Sequence, residues 1–179
     1  MRKYLAGFTF IELLIVVMII SAFSGLSLAY YNNFNKASKL DTEANKFLQT
    51  LELAKKKATA RDIEGYDDCN YSIDPANTFD GYQIVLTANG YDLKIVCNGT
   101  ASPIYSYSYP KNSSGQSLVK TSPQSGTIQF NPTPGDVTFS SLSLPIQFEN
   151  SVGTTTKCPR IDISTTGIIK KLTDTTCSP

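Results

Sequence analysis

The chain has 179 residues, with 16 lysines and arginines against 15 aspartates and glutamates. This length suits one modest domain plus a tail, and the balanced charge produces no overall field that would attract nucleic acid. The sequence contains no histidine, which excludes histidine acid–base catalysis, histidine metal ligands and nucleophiles activated by histidine.

A short basic segment, residues 1–7, precedes a long apolar stretch. Glu12 is the only charged residue between Lys3 and Lys36, and about 20 apolar residues in a helix suffice to cross the hydrocarbon core of a bilayer. The stretch from Leu13 to Asn35 is therefore predicted to span the cytoplasmic (inner) membrane once. Basic residues before a span keep its start in the cytoplasm, so the C-terminal part is expected outside.

Two features of this segment differ from an ordinary signal or anchor. The small pair Ala6-Gly7 precedes the apolar run, so cleavage after Gly7 would leave the apolar helix on the mature protein. Glu12 would be costly in lipid and needs compensation. One candidate is the new amine on Phe8 of a neighbouring subunit, and the other is the positive end of the helix dipole.

The string from Gly7 to Leu14, GFTFIELL, followed by IVVMII, resembles the N-terminus of type IV prepilins. The resemblance implies cleavage after Gly7 by a prepilin peptidase, N-methylation of Phe8 and a role for Glu12 in subunit assembly. It also implies membrane lipid before assembly, an inner-membrane assembly platform and other pilin or pseudopilin subunits as partners. Major pilins usually carry a helix-breaking proline in this segment, and residues 21–28 have none, which favours a minor pilin.

Beyond the membrane segment, the apolar residues recur at helical spacing. This spacing predicts that residues 8–35 and an amphipathic part, residues 36–64, form one long helix that ends between Arg61 and Gly65. Glu43 is placed with the charged residues on the solvent side. The predicted apolar face comprises Leu40, Ala44, Phe47, Leu48, Leu51, either Leu53 or Ala54, and Ala58.

Residues 65–179 are rich in strand signals. Runs at 81–87 and 91–97 flank Asn89-Gly90, and an Asn-Gly pair between such runs indicates a β-hairpin. Together with the helix, the strands predict an α+β fold in which the helix covers a mostly antiparallel sheet. The further short runs lie at 104–109, 127–130, 137–140, 146–149, 161–164 and 168–172.

Between these runs, residues 111–125 are polar and are predicted to form a long mobile loop. Just before them, Tyr105, Tyr107 and Tyr109 alternate with serines, so a strand would place all three on one face. That face either packs on the core or on a neighbouring subunit, or it forms a stacking platform for bases or glycans.

Four cysteines lie outside the membrane segment, where exported thiols tend to be oxidised. Four cysteines allow three pairings. The preferred pairs are Cys69 with Cys97 and Cys158 with Cys177, since each pair flanks one hairpin region. A zinc site is the alternative, but the sequence has neither CxxC spacing nor histidine.

Residues 51–61 with Cys69, together with the stretches 130–135 and 161–167, are similar to the H-type minor pseudopilins and FimT-type minor pilins. Some FimT-type pilins bind DNA through a Gly-Arg-x-Arg pattern. Here Gly167 is followed by Ile168-Ile169-Lys170-Lys171, so the first arginine is missing and Lys170 and Lys171 are the candidate DNA contacts.

The sequence thus predicts a pilin-like assembly protein without a cofactor. The favoured function is a minor pilin or pseudopilin, processed after Gly7 and built into, or at the tip of, a type IV pilus or a type II secretion pseudopilus. The alternatives are a DNA-binding minor pilin of a DNA-uptake pilus and a major pilin. An enzyme is not expected, because the sequence has no nucleophile motif, phosphate loop or suggestive pair of acids.

Overall fold

A computed structural model describes residues 9–151 and 158–174. The chain divides into two units after Lys36. Within the described residues, one α-helix and one short 3-10 helix, Asp67–Cys69, precede nine strands. The elements are α1 (Phe10–Ala60), β1 (Phe79–Thr87), β2 (Gly90–Cys97), β3 (Thr100–Ser108), β4 (Val119–Ser122), β5 (Gly126–Phe130), β6 (Val137–Ser140), β7 (Ile146–Asn150), β8 (Cys158–Ile163) and β9 (Ile169–Asp174).

Helix α1 runs without interruption through the region predicted to be helical and ends one residue before the predicted interval. Arg61 follows it in the left-handed conformation, with φ of 50°. The Arg61 N–H donates to the Ala58 carbonyl at 3.1 Å, and the Asp62 N–H donates to the Lys57 carbonyl at 3.0 Å. These two bonds form a Schellman motif, which satisfies the last carbonyls of the helix and stops it.

The segment predicted to span the membrane, Leu13 to Asn35, lies within α1. Over the described residues, no helix combines the length and the apolar character that a candidate membrane span requires.

The strands form two antiparallel sheets, as the α+β class predicts. The first has the order β3-β2-β1-β5-β6, and the second has the order β4-β7-β8-β9. The hairpin predicted around Asn89-Gly90 is present, since Thr87 of β1 pairs with Gly90 of β2. A second hairpin joins β8 to β9, where Ile163 pairs with Ile169.

One hydrophobic core lies between the amphipathic part of α1 and both sheets. The ring of Phe47 lies 4.9 Å from Tyr91 of β2 and 5.7 Å from Phe148 of β7, measured between centroids. Ala54, rather than Leu53, completes the buried helix face. This face consists of Leu40, Ala44, Phe47, Leu51, Ala54 and Ala58.

Two predictions about the sheet region are wrong. The structure has two sheets, whereas the sequence predicted one sheet beneath the helix. The segment 111–125, predicted as a mobile loop, contains β4, which pairs with β7. Only Val119 and Thr121 of this strand are buried. An alternating pattern with two inward side chains over four residues is too short to predict a strand from the sequence.

Candidate functional site

The first described turn of α1 is closed by a capping box. The Glu12 N–H donates to Thr9 Oγ1 at 3.3 Å, and the Thr9 N–H donates to Glu12 Oε2 at 3.2 Å. This reciprocal pair satisfies two backbone N–H groups that the start of a helix leaves open. Glu12 is therefore held at the helix start by Thr9. Gly7 and Phe8 lie outside the described residues.

The following four turns of α1 expose apolar side chains all around the helix. Every large hydrophobic residue from Phe10 to Ile20 is exposed, and so is Phe23, with 70% of its surface accessible. The hydroxyls of Ser21 and Ser24 donate to the carbonyls of Val17 and Ile20 at 2.8 and 2.7 Å. The hydroxyl groups of these serines are therefore hydrogen-bonded within the helix. A surface of this kind marks a site for lipid or for neighbouring protein.

A buried carboxylate on α1 links the helix to the first sheet. Glu43, predicted on the solvent side, is buried, and it accepts a hydrogen bond from the Tyr107 hydroxyl at 2.6 Å. Lys46 Nζ donates to Glu43 Oε1 and to the Tyr107 hydroxyl oxygen, both at 2.8 Å. These hydrogen bonds to Glu43 and Tyr107 raise the pKa of Lys46 above its usual range. The charge of Glu43 is therefore compensated where it is buried.

The three alternating tyrosines of β3 and its end differ in exposure. Tyr109 is buried, Tyr107 is half-buried, and Tyr105 keeps 47% of its surface exposed. The ring of Tyr107 stacks on Tyr91 at 5.1 Å, and Tyr109 contacts Phe148 edge-on at 6.3 Å. The face therefore packs on the core at one end and reaches solvent only at Tyr105. Three exposed rings, as a stacking platform would need, are not available.

The two candidate DNA contacts lie on opposite faces of β9, as neighbouring residues of a strand must. Lys171 is partly buried, and its Nζ donates to Asp41 Oδ1 at 2.5 Å and to Asn45 Oδ1 at 2.7 Å. Lys170 is exposed and lies opposite Asp162 of β8. The structure therefore does not bring Lys170 and Lys171 together as one cationic patch, and Lys171 binds the helix.

A second lysine of α1 fixes the β8–β9 turn. Lys55 Nζ donates to the Gly167 carbonyl at 2.7 Å, and Gly167 adopts a φ of 75°. The turn closes because the Gly167 N–H donates to the Ser164 carbonyl at 2.9 Å. Lys55 thus holds α1 to the second sheet at the β8–β9 turn.

The structure joins Cys69 to Cys97 in a disulfide across 28 residues, which is the first of the two preferred pairs. Cys158 is disulfide-bonded and buried at the start of β8. Its preferred partner, Cys177, lies outside the described residues, so that pair stays a prediction. Among the residues with a described position, no group of three or more histidines, cysteines and acids could hold a metal ion.

The capping box and the buried position of Glu43 each have a sequence signal that the spacing of apolar residues alone does not reveal. Thr9-x-x-Glu12 has the spacing of a capping box. Glu43 follows Leu40 by three residues and precedes Phe47 by four, which places it on the apolar face. The partners of Glu43 and of Lys171 lie 64 and 130 residues away in the chain, and no local pattern indicates such pairs.

Comparison with known proteins bears on the N-terminal segment. Residues 2–28 match a family model described as the prokaryotic N-terminal methylation motif. No curated protein and no solved structure is significantly similar to the chain. The match covers the segment that holds Gly7, Phe8 and Glu12 and continues through the exposed apolar turns of α1. It supports a type IV pilin-like protein, for which the motif implies prepilin peptidase processing, membrane anchoring and assembly into filaments.

Proposed function

We propose that this protein is a minor pilin or pseudopilin. It is cleaved after Gly7, N-methylated at Phe8 and assembled through α1 into, or at the tip of, a type IV pilus or a type II secretion pseudopilus. The observation that carries this proposal is the exposed apolar surface from Phe10 to Phe23, which lies within the matched methylation motif. Such a surface is stable in lipid before assembly and in contact with neighbouring helices afterwards.

Glu12 has two roles in this proposal, one within its own chain and one between subunits. In the single chain it caps its own helix through Thr9. In the filament, its carboxylate also compensates the amine of Phe8 on a neighbouring subunit, which sets the axial register. The capping box supports this second role because it holds the carboxylate at the helix start, close to where a neighbour's N-terminus would lie.

The missing proline favours a minor pilin or a pseudopilin over a major pilin. Residues 21–28 have no proline, and α1 continues through them without a break. The DNA-uptake function has no comparable support, because Lys171 is paired with Asp41 and Lys170 lies on the other face of β9.

Processing is tested by Gly7→Arg in the full-length chain, expressed with its prepilin peptidase. The bulky cation at the cleavage site is expected to leave the whole precursor uncleaved, seen by mass spectrometry as the unprocessed mass. Ser113→Arg, which adds the same charge at an exposed loop position, is the matched control and should mature normally. Normal maturation of the Gly7 variant would refute the proposed function.

The register role is tested by two substitutions of Glu12. Glu12→Gln keeps a side chain that closes a capping box but removes the charge, whereas Glu12→Ala removes both. Both variants should be cleaved, and both should lose most filament incorporation, measured as processed subunit in the sheared filament fraction. If Glu12→Gln assembles like the wild type and only Glu12→Ala fails, the carboxylate acts solely as a cap.

A further inference from the structure

Aromatic and basic residues follow one another on α1 around the boundary between the two units. Tyr31 and Phe34 keep 61% and 62% of their surfaces exposed, and they lie about one helical turn apart. Lys36 and Lys39 come next in the chain. No ion pair in the described part of the chain involves either of these lysines. Two exposed rings are thus followed at once by two cations that are free to meet an anionic partner.

The distance from the start of α1 to these rings matches the thickness of a bilayer. The helix runs without a break from Phe10, and a rise of 1.5 Å per residue places Tyr31 roughly 32 Å from Phe10. The hydrocarbon core of a bilayer is about 30 Å thick. With the capped start of the helix at one membrane surface, Tyr31 and Phe34 therefore reach the opposite surface.

The types of these residues suit the headgroup layer better than the hydrocarbon core. Tyrosine is enriched where membrane meets water, because its ring is apolar and its hydroxyl is polar. A lysine lays its apolar stem along lipid while its ammonium group reaches the phosphates. The turns before them differ, since residues 13–35 carry no charge. The methylation motif implies membrane anchoring for those turns, and the aromatic and basic residues continue the same helix.

We propose that Tyr31, Phe34, Lys36 and Lys39 form an interfacial anchor that binds anionic phospholipid headgroups. The anchor lies at the membrane surface from which the β-rich unit projects. The inference rests on the proposed function, and it goes further by stating where α1 leaves the lipid and which lipid chemistry it meets there. Leu40, a residue of the buried helix face, directly follows Lys39. The anchor therefore holds the β-rich unit at the bilayer surface before assembly.

The depth of the anchor is tested with tryptophan as a probe, because the chain contains no tryptophan. Full-length Phe34→Trp is reconstituted into vesicles of phosphatidylcholine and phosphatidylglycerol. The acyl chains carry bromine, which quenches tryptophan fluorescence, either near the headgroup or near the chain end. We expect several-fold stronger quenching by the bromines near the headgroup.

Two exposed positions of α1 serve as depth controls. Met18→Trp lies within the apolar turns and should be quenched more strongly by the bromines near the chain end. Leu53→Trp lies in the part of α1 that packs on the sheets and is itself exposed. It should be quenched by iodide in the water and by neither brominated lipid.

The lysines are tested in the Phe34→Trp background. Attraction to phosphates predicts that quenching near the headgroup is stronger with phosphatidylglycerol than in pure phosphatidylcholine, and that this difference shrinks as salt is raised. Lys36→Gln combined with Lys39→Gln should abolish the difference. The matched control combines Lys56→Gln with Lys111→Gln, two exposed positions, and should retain it. An unchanged difference in the Lys36 and Lys39 variant would overturn the assigned headgroup binding.

The outcomes separate this inference from the proposed function. If Met18→Trp is quenched by lipid while Phe34→Trp responds only to iodide, the anchor is wrong and the proposed function stands. Stronger quenching of Phe34→Trp near the chain end also overturns the anchor. If the Phe34→Trp probe is shielded from iodide only in sheared filaments and never by vesicles, a neighbouring subunit covers this surface instead. If Met18→Trp is not quenched by lipid at all, the membrane stage of the proposed function itself fails.

Discussion

The two described ends of α1 have the same secondary structure and opposite surroundings. From Phe10 to Phe23 the apolar side chains are exposed, whereas from Leu40 to Ala58 the apolar face is buried against two sheets. Both stretches are helical, so helix formation does not distinguish them. The difference shows that the second stretch finds its apolar partner within the chain, while the first needs one from outside it.

The polar groups of the two stretches differ in the same way. Ser21 and Ser24 bond to carbonyls of their own helix. Glu43 and Asp41 bond to Tyr107 and Lys171 on the sheets. Apart from Glu12 at its start, the polar side chains named in the first stretch are satisfied within their own helix. The second stretch is oriented by hydrogen bonds to residues far away in the chain. An apolar surface without fixed polar partners suits both lipid and neighbouring helices.

Replacing Phe47 or Phe23 by alanine tests the difference between the two stretches with the largest expected effects. Phe47 is fully buried, whereas Phe23 is largely exposed. Phe47→Ala should lower the free energy of unfolding by about 3–5 kcal/mol because it leaves a cavity between the helix and both sheets. Phe23→Ala should leave that free energy within about 0.5 kcal/mol and reduce filament incorporation instead. Urea unfolding followed by circular dichroism checks the first effect, and the filament fraction checks the second.

The outcome that would contradict the comparison is the reverse pattern. If Phe23→Ala destabilised the β-rich unit as much as Phe47→Ala, the exposed stretch would have an intramolecular partner. If Phe47→Ala had no effect on unfolding, the shared core of α1 and the two sheets would be wrong.

Alkaline pH should act on the β-rich unit through its buried tyrosines. Burial raises the pKa of Tyr82 and of Tyr91 from 10.0 to about 12 in each case. Between pH 10 and 12 the unfolded chain therefore binds fewer protons than the folded one, and stability falls as pH rises. Below pH 10 this contribution is fully present.

The measurement is a urea midpoint at several pH values, with tyrosinate absorbance followed in parallel. Tyr91→Phe, which keeps the ring, should flatten part of the alkaline decline. A midpoint that stays constant from pH 10 to 12 would show that these hydroxyls ionise equally well in the folded state.

The smallest expected effect distinguishes the neighbouring lysines of β9. Lys171→Ala removes the contacts to Asp41 and Asn45 and should cost about 0.5–1 kcal/mol, because Asp41 is half exposed and the pair is partly screened. Lys170→Ala is the matched control on the exposed face and should change stability less. Equal effects of the two substitutions on the urea midpoint would mean that Lys171 does not hold the helix to the second sheet.

Much of the fold followed from local sequence patterns. The apolar spacing indicated the amphipathic part of α1, and Asn89-Gly90 indicated the first hairpin. The positions of the later strands, except β4, agreed closely with the alternating runs. The Cys69–Cys97 pair was preferred for its place beside that hairpin. Periodicity and turn chemistry are properties of neighbouring residues, and they remain visible without the tertiary structure.

The site was predictable to a smaller extent. The methylation motif, which includes Glu12, is a run of consecutive residues, so the N-terminal site could be recognised from the sequence. Tertiary structure alone decided that the strands divide into two sheets, that Glu43 meets Tyr107, and that Lys171 binds the helix. These features depend on contacts between residues far apart in the chain, and such contacts exist only after the core has formed around Phe47.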